Sequence, residues 1–110
     1  MKVSKELIKG STSMLVMSVL KNKDLYGYKI IKEIETLSDN VFSLKEGTLY
    51  PILHALEKEN LLESYWDDTD GRKKKYYHLT NKGQKQIMEK KEEWQVFQKS
   101  VNKVLDFSMG

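Results

Sequence analysis

The chain has 110 residues, 32% of them charged, a formal net charge of +3 and no cysteine. That length suits one domain with a modest core and leaves little room for a deep enclosed active site. The missing cysteines exclude a disulfide framework and thiolate metal sites, and the mild basicity permits nucleic acid as a partner without requiring it.

The first segment, about Lys5 to Asn22, reads as a helix. Leu7, Ile8, Leu15, Val16, Val19 and Leu20 are apolar, and Met14 and Met17 widen the stripe past half the circumference. Such a helix needs cover on two sides. Its own domain supplies one; the other falls to a second subunit, unless the helix is central in a monomer. A polar break at residues 21–24 follows, and Asp24 is a candidate N-cap for the next helix. From Tyr26 to about Leu37, Gly27, Ile30, Ile31, Ile34 and Leu37 share one face, and Lys29, Lys32, Glu33, Glu35 and Thr36 share the other. This is a surface helix with a core stripe, stopped by Ser38-Asp39-Asn40.

The stretch from Leu44 to Leu62 organises the rest. Leu49, Leu53 and Leu56 fall on one helical face with Ile52 at its edge, while Gly47, Thr48, Pro51, His54, Ala55 and Lys58 lie opposite. A small-residue outer face allows close approach, and Thr48, Tyr50 and His54 offer contact groups, which suits a helix lying in a major groove. The plainer alternative is an amphipathic helix with a solvated outer face. Ser43 and Glu46 have capping-box spacing, which favours an early start with Pro51 kinking the interior. A start near Gly47 or Thr48 would place Pro51 in the first turn instead. Asn60 is positioned to take the left-handed conformation that ends a helix.

Two strand-like runs follow, Leu62 to Asp68 and Lys73 to Leu79, with Asp70-Gly71 suiting a two-residue hairpin turn. That register sets Asp68 opposite Lys73 and Asp67 opposite Lys74, two pairs of opposite charge. Arg72, Lys73, Lys74 and Lys75 form a basic run that would grip phosphates beside a groove-entering helix. Asp67, Asp68 and Asp70 offset much of it, so a solvated, charge-balanced hairpin is the alternative. Thr80 caps a last helix reaching about Leu105. Ile87, Trp94 and Val101 recur every seven residues, Phe97 and Val104 fill the intermediate row, and Lys90 interrupts it. This is a coiled-coil-like seam. The economical reading is a homodimer in which this helix packs on its mate together with the first helix, against the alternative of packing back on its own domain. The interface residues are then Leu7, Met14, Ile87, Trp94, Phe97, Val101 and Val104.

The order of elements is mainly α with a β-hairpin wing (α+β): a winged helix-turn-helix over residues 1–80, then a long C-terminal dimerisation helix over residues 81–110 that is not an independent domain. At this point the motifs carry a resemblance. Leu25-Tyr26-Gly27-Tyr28-Lys29-Ile30, Gly47-Thr48-Leu49-Tyr50-Pro51, Leu56-Glu57 and the run from Gly71 to Thr80 resemble, in this order, the PadR family of bacterial transcriptional regulators. The short C-terminal region is similar to the small PadR subfamily, which includes a lactococcal multidrug-binding repressor. The resemblance implies a homodimeric repressor that binds an inverted-repeat operator in double-stranded DNA near its own or a neighbouring promoter. Thr48 and Tyr50 would act in the third helix and Arg72 with its basic neighbours in the wing. The full set of expected DNA contacts is Tyr26, Lys45, Gly47, Thr48, Tyr50, His54, Arg72, Lys73, Lys74 and Lys75.

In the multidrug-binding relative a tryptophan of the last helix stacks on flat aromatic ligands, and Trp94 matches it. Trp94, Ser13, Met14 and Gln98 are therefore the candidate effector residues, although an aromatic residue at heptad spacing also serves as plain packing. Two departures are informative. Ala55 stands where a basic residue is frequent, and Lys90 and Lys91 stand where the relative has apolar pore residues, so an anionic aromatic compound fits better than a neutral drug.

Other functions fare poorly. His54 and His78 are the only histidines and lie on different elements, so no metal-ligand spacing, cofactor or enzyme activity is expected. No Gly-rich phosphate loop or nucleophile elbow is present. The longest apolar run, Met14 to Met17, is too short to span a membrane and the start lacks a signal-peptide core, so the expected setting is cytoplasmic. The rival from another class is a winged-helix protein–protein adaptor without operator binding. It should carry an exposed apolar patch on the third helix, and the sequence offers none there.

Overall fold

The computed structural model describes residues 3–109; the outermost ends of the two expected units, Met1, Lys2 and Gly110, lie outside it. The elements run α1 (Lys5–Val19), β1 (Leu25–Tyr26), α2 (Gly27–Leu37), α3 (Glu46–Lys58), β2 (Leu62–Asp67), β3 (Lys74–Leu79) and α4 (Asn81–Met109). α1, α2 and α3 pack around one core, which Val16, Leu20, Ile30, Leu49, Leu53, Leu61, Leu79 and Tyr77 fill almost without exposure. Each such aliphatic side chain contributes about 1.5–3 kcal/mol by leaving water. Leu37 was expected on the core stripe of α2 but is 72% exposed, because α2 ends there and its last turn runs past the core.

Helix ends follow local chemistry. α3 closes with a Schellman arrangement: Asn60 is left-handed at φ 61°, its N–H donates to the Glu57 carbonyl, and the Leu61 N–H donates to the Leu56 carbonyl. α2 ends the same way, with Asp39 at φ 51°. Two starts differ from the expectation. Ser43 does not cap α3; its hydroxyl turns to Glu35 at 3.3 Å. Lys45 occupies the N-cap position without a side-chain bond, so Pro51 is the sixth helical residue and the Gly47 carbonyl loses its usual partner. Asp24 does not cap α2 either, because Leu25 and Tyr26 are extended and form β1.

That short strand completes a three-stranded antiparallel sheet of order β1-β3-β2. Leu25 pairs with Tyr77 and Tyr26 with Tyr76, while β2 and β3 pair from Leu62↔Leu79 to Asp67↔Lys74. The expected hairpin register is correct but its turn is longer. Residues 68–73 form a loop, with Gly71 at φ 86° and its N–H on the Asp68 carbonyl. The Thr80 hydroxyl accepts the Gly83 N–H at 3.0 Å and so starts α4, as expected. α4 is 29 residues long and extends the molecule to 57 Å in one direction.

Candidate nucleic-acid interface

The leucines of α3 are fixed in the core, so its other face is fixed outward: Gly47, Thr48, Tyr50, Pro51, His54, Ala55 and Lys58 are all exposed, as is Lys45 at its start. Tyr50 is constrained further. A Cβ placed on Gly27 would sit 2.6 Å from the Tyr50 hydroxyl, so the phenol lies directly against the first residue of α2. Glycine at position 27 is what allows this approach. Tyr50 remains 38% exposed, enough to present one edge outward.

The wing rises beside this face. Its basic run is divided between two environments. Arg72 and Lys73 are exposed in the tip loop, and Arg72 has no ion pair among the described residues. Lys74 and Lys75 are half-buried along β3, with their ammonium groups over the rings of Tyr26 at 4.4 Å and Tyr77 at 5.7 Å. The expected charge pairing of Asp67 with Lys74 does not form although their backbones are opposite. The Asp67 carboxylate accepts the Thr69 N–H at 2.9 Å and the Thr69 hydroxyl, which holds its pKa below the usual range and spends its charge on the tip loop. Asp68 and Lys73 lie beyond the ladder.

A network at the base of the wing was not foreseen. Asp24 accepts the Tyr65 hydroxyl at 2.6 Å and faces Nδ1 of His78 at 2.8 Å. Burial works to raise the Asp24 pKa, but the bonds from Tyr65 and His78 outweigh it and hold the carboxyl below its ordinary value. The bond to Asp24, with burial adding to it, pushes Tyr65 up to about 12. Tyr76 stacks on Tyr65 at 5.8 Å and meets Tyr26 edge-on at 5.5 Å. The signal for this arrangement was the alternation of Tyr65 and Tyr76 onto one sheet face, which becomes informative only once β1 is placed beside β3.

Away from the wing strands, α1, α4 and the end of α3 line an open groove of about 490 Å³. Leu7, Ser13, Met14, Trp94 and Phe97 line it, as does Lys90; Gln98 does not. Ile87 does not belong to the free seam, since it is 4% exposed and buried in the chain's own core. Beyond it the apolar positions of α4 are uncovered in the single chain: Trp94 41%, Phe97 58%, Val101 38% and Val104 69% exposed. No cluster of His, Asp or Glu that could hold a metal ion occurs among the described residues, and none of their helices is long and apolar enough to cross a membrane.

Residues 16–89 match the Transcriptional regulator PadR-like family. The chain belongs to this family. The PadR resemblance of the motifs is thereby established, and with it a transcriptional regulator rather than an enzyme. The matched span holds every expected DNA-contacting residue from Tyr26 to Lys75 and ends before Trp94. The winged-helix fold is shared with solved PadR-type structures. A transcriptional regulator from Clostridium thermocellum is 34% identical with a TM-score of 0.83, over 90% of this chain and 97% of that one. A PadR family transcription regulator from Clostridium difficile is 40% identical with a TM-score of 0.77, over 87% and 99%. An uncharacterized protein of Lysinibacillus sphaericus is 35% identical over 97% of this chain and 95% of its own length.

Proposed function

We propose that this PadR-like regulator is a homodimeric repressor that binds an inverted-repeat operator in duplex DNA. Residues 1–80 act as the DNA-binding unit and residues 81–110 as the dimerisation helix. α3 enters the major groove with Thr48, Tyr50 and His54 outward, Lys45 and Gly47 approach the backbone at its start, and Tyr26 lies at the wing's base. Arg72, Lys73, Lys74 and Lys75 neutralise phosphates from the wing. The observation that carries this reading is the exposed outer face of α3 standing beside a cation-bearing wing on a PadR fold. A dimer is supported by the uncovered apolar row of α4 opposite the exposed Leu7 end of α1. A two-fold through these helices would set two copies of α3 into successive major grooves, about 34 Å apart.

The groove at Trp94 supports an effector that is aromatic and anionic, with Lys90 on its rim, although Lys90 also meets Glu93 at 3.7 Å. Such a compound relieves repression only if it binds the two spacings of the recognition helices with different affinity. The test of the main reading is a fluorescence-anisotropy titration with the DNA upstream of the chain's own coding sequence, against scrambled DNA of equal length, at two salt concentrations. Preference for the upstream fragment that survives the higher salt is the expected result. Equal binding to both would leave only a basic surface, and no binding at low salt would favour a protein–protein adaptor.

A further inference from the structure

Trp66 lies outside every contact set named above. Along β2, Leu62, Ser64 and Trp66 alternate onto one face of the hairpin. That face is turned to α3: Leu62 is buried, and the Ser64 hydroxyl donates to Glu57 of α3 at 2.8 Å. Trp66 is the next position along and stands beyond the end of the core, 61% exposed, opposite Lys75 on β3. The Lys73 ammonium lies 5.5 Å from its ring. Trp66 also borders a groove of about 310 Å³, shared with Tyr28, Tyr50, Lys74 and Lys75, between the wing and the first turns of α2 and α3.

A tryptophan can bury about 150–250 Å², so holding one out in water forgoes a large apolar gain unless a partner covers it. The chemistry around the indole specifies that partner. Its neighbours are lysines and phenols, and the nearest carboxylate on the same strand, Asp67, is on the opposite face and turned to Thr69. The surface therefore fits a partner with regularly spaced negative charge and apolar patches between the charges. In duplex DNA the bases are stacked away and the deoxyribose faces lie between phosphates. Tyr50 and Lys75 belong both to this groove and to the proposed DNA contacts, so the two surfaces are continuous.

We propose that Trp66 is a DNA-contacting residue: its indole lies on the deoxyribose face of the backbone flanking the groove that α3 enters, while Lys73 and Lys75 take the adjoining phosphates. This rests on the DNA-binding reading above and adds an apolar contact to it. An indole releases no counterions, so its loss must weaken binding without changing the salt dependence, unlike the loss of a lysine.

The experiment follows intrinsic fluorescence and anisotropy together, using the full chain and the labelled upstream fragment, with thermal unfolding of each variant as the folding control. In the wild type, DNA should quench emission and protect it from iodide over the same concentrations that raise the anisotropy. In Trp66→Phe, which retains Trp94, DNA should still bind, more weakly, but the quenching and the protection should vanish. Trp66→Ala should weaken binding by about tenfold with the slope of log affinity against log salt unchanged. Unaltered affinity in Trp66→Ala, or quenching that persists in Trp66→Phe, would overturn the assignment while leaving DNA binding intact. A flattened salt slope in Trp66→Ala would overturn it too, by showing that the residue acts only through the lysines. If the wild type gives no anisotropy change with any fragment at low salt, the DNA-binding reading falls and this contact falls with it.

Discussion

The Asp24 carboxylate and the His78 ring stand 54 positions apart in sequence and 2.8 Å apart in space. With Tyr65 as the third member, they fasten the segment between α1 and α2 to both strands of the wing. Asp24→Ala should therefore loosen the wing at its base and cost about 1 kcal/mol, a modest figure because the group is partly exposed. The sign of the pH dependence follows from the directions of the shifts. The Asp24 carboxyl is held below its unfolded value, so its stabilisation is present near neutrality and disappears as pH falls through the folded value. Tyr65 is shifted the other way: its contribution is present below the ordinary tyrosine range and is lost as pH rises through about 12. Absorbance titration of the tyrosinates should show late ionisation of Tyr65, raised by Asp24, and of Tyr77, raised by burial, and only the Tyr65 step should return towards about 10 in Asp24→Ala.

Gly27→Ala should force the Tyr50 ring away from α2, since the added carbon would lie 2.6 Å from its hydroxyl. The expected cost is about 1–2 kcal/mol in urea unfolding. Combining it with Tyr50→Ala should recover part of that loss, because the obstructing phenol is gone. Strict additivity of the two changes would show that Tyr50 does not rest on Gly27 in solution.

A harsher result is expected at Gly83, where an added carbon would meet the Leu61 backbone carbonyl at 2.3 Å and the Leu79 side chain at 2.6 Å. Backbone cannot rotate away as a ring can. Gly83→Ala should lower the melting temperature more than Gly27→Ala, with a cost above about 2 kcal/mol.

In DNA titrations, Tyr50→Ala should reduce binding to the upstream fragment more than to scrambled DNA. Arg72→Ala combined with Lys74→Ala should weaken both and flatten the salt slope by up to about two. Lys74 sits over Tyr26, so Arg72 should account for the larger share of the lost slope. An unchanged slope in the double variant would remove the wing from phosphate binding.

The dimer proposal is checked on α4 alone. Val101→Asp and Phe97→Asp place a charge on the row proposed to face the second subunit, while neither residue belongs to the domain's own core. Each should yield a folded monomer by light scattering with chromatography, with helicity retained in the winged domain. A variant that remains dimeric would place the interface elsewhere.

How much of this was legible in the sequence depended on the range of the deciding interaction. The ends of α2 and α3 follow from residues in immediate succession, such as Asn60 after Glu59, so local chemistry sufficed. The core face of α3 followed from the spacing of its leucines. Asp24 is ambiguous in sequence, because a polar residue ahead of a helix has the same local appearance whether it caps that helix or reaches a tyrosine 41 positions later. β1 leaves no local signal, because its two residues become a strand only when β3 lies alongside. Ile87 fits both a dimer seam and a domain core by periodicity, and only the close packing of the start of α4 on Leu61 and on Leu79 of β3 decides. Trp66 shows the same limit: strand alternation places it on the face turned to α3 but does not say how far that helix extends along it.

Thr80 ties the end of α3 to the start of α4. Its hydroxyl lies 2.7 Å from the Asn60 carbonyl and 3.1 Å from the Leu61 carbonyl, just where α3 ends, while accepting the Gly83 amide in the first turn of α4. The pivot of the long helix is thus pinned to the tail of the short one. At 1.5 Å per residue, α4 is a lever arm of about 43 Å. A few degrees of tilt, hardly visible at that hinge, becomes a displacement of about 2–4 Å at the far end, and a small push at the far end returns to the hinge as torque on α3.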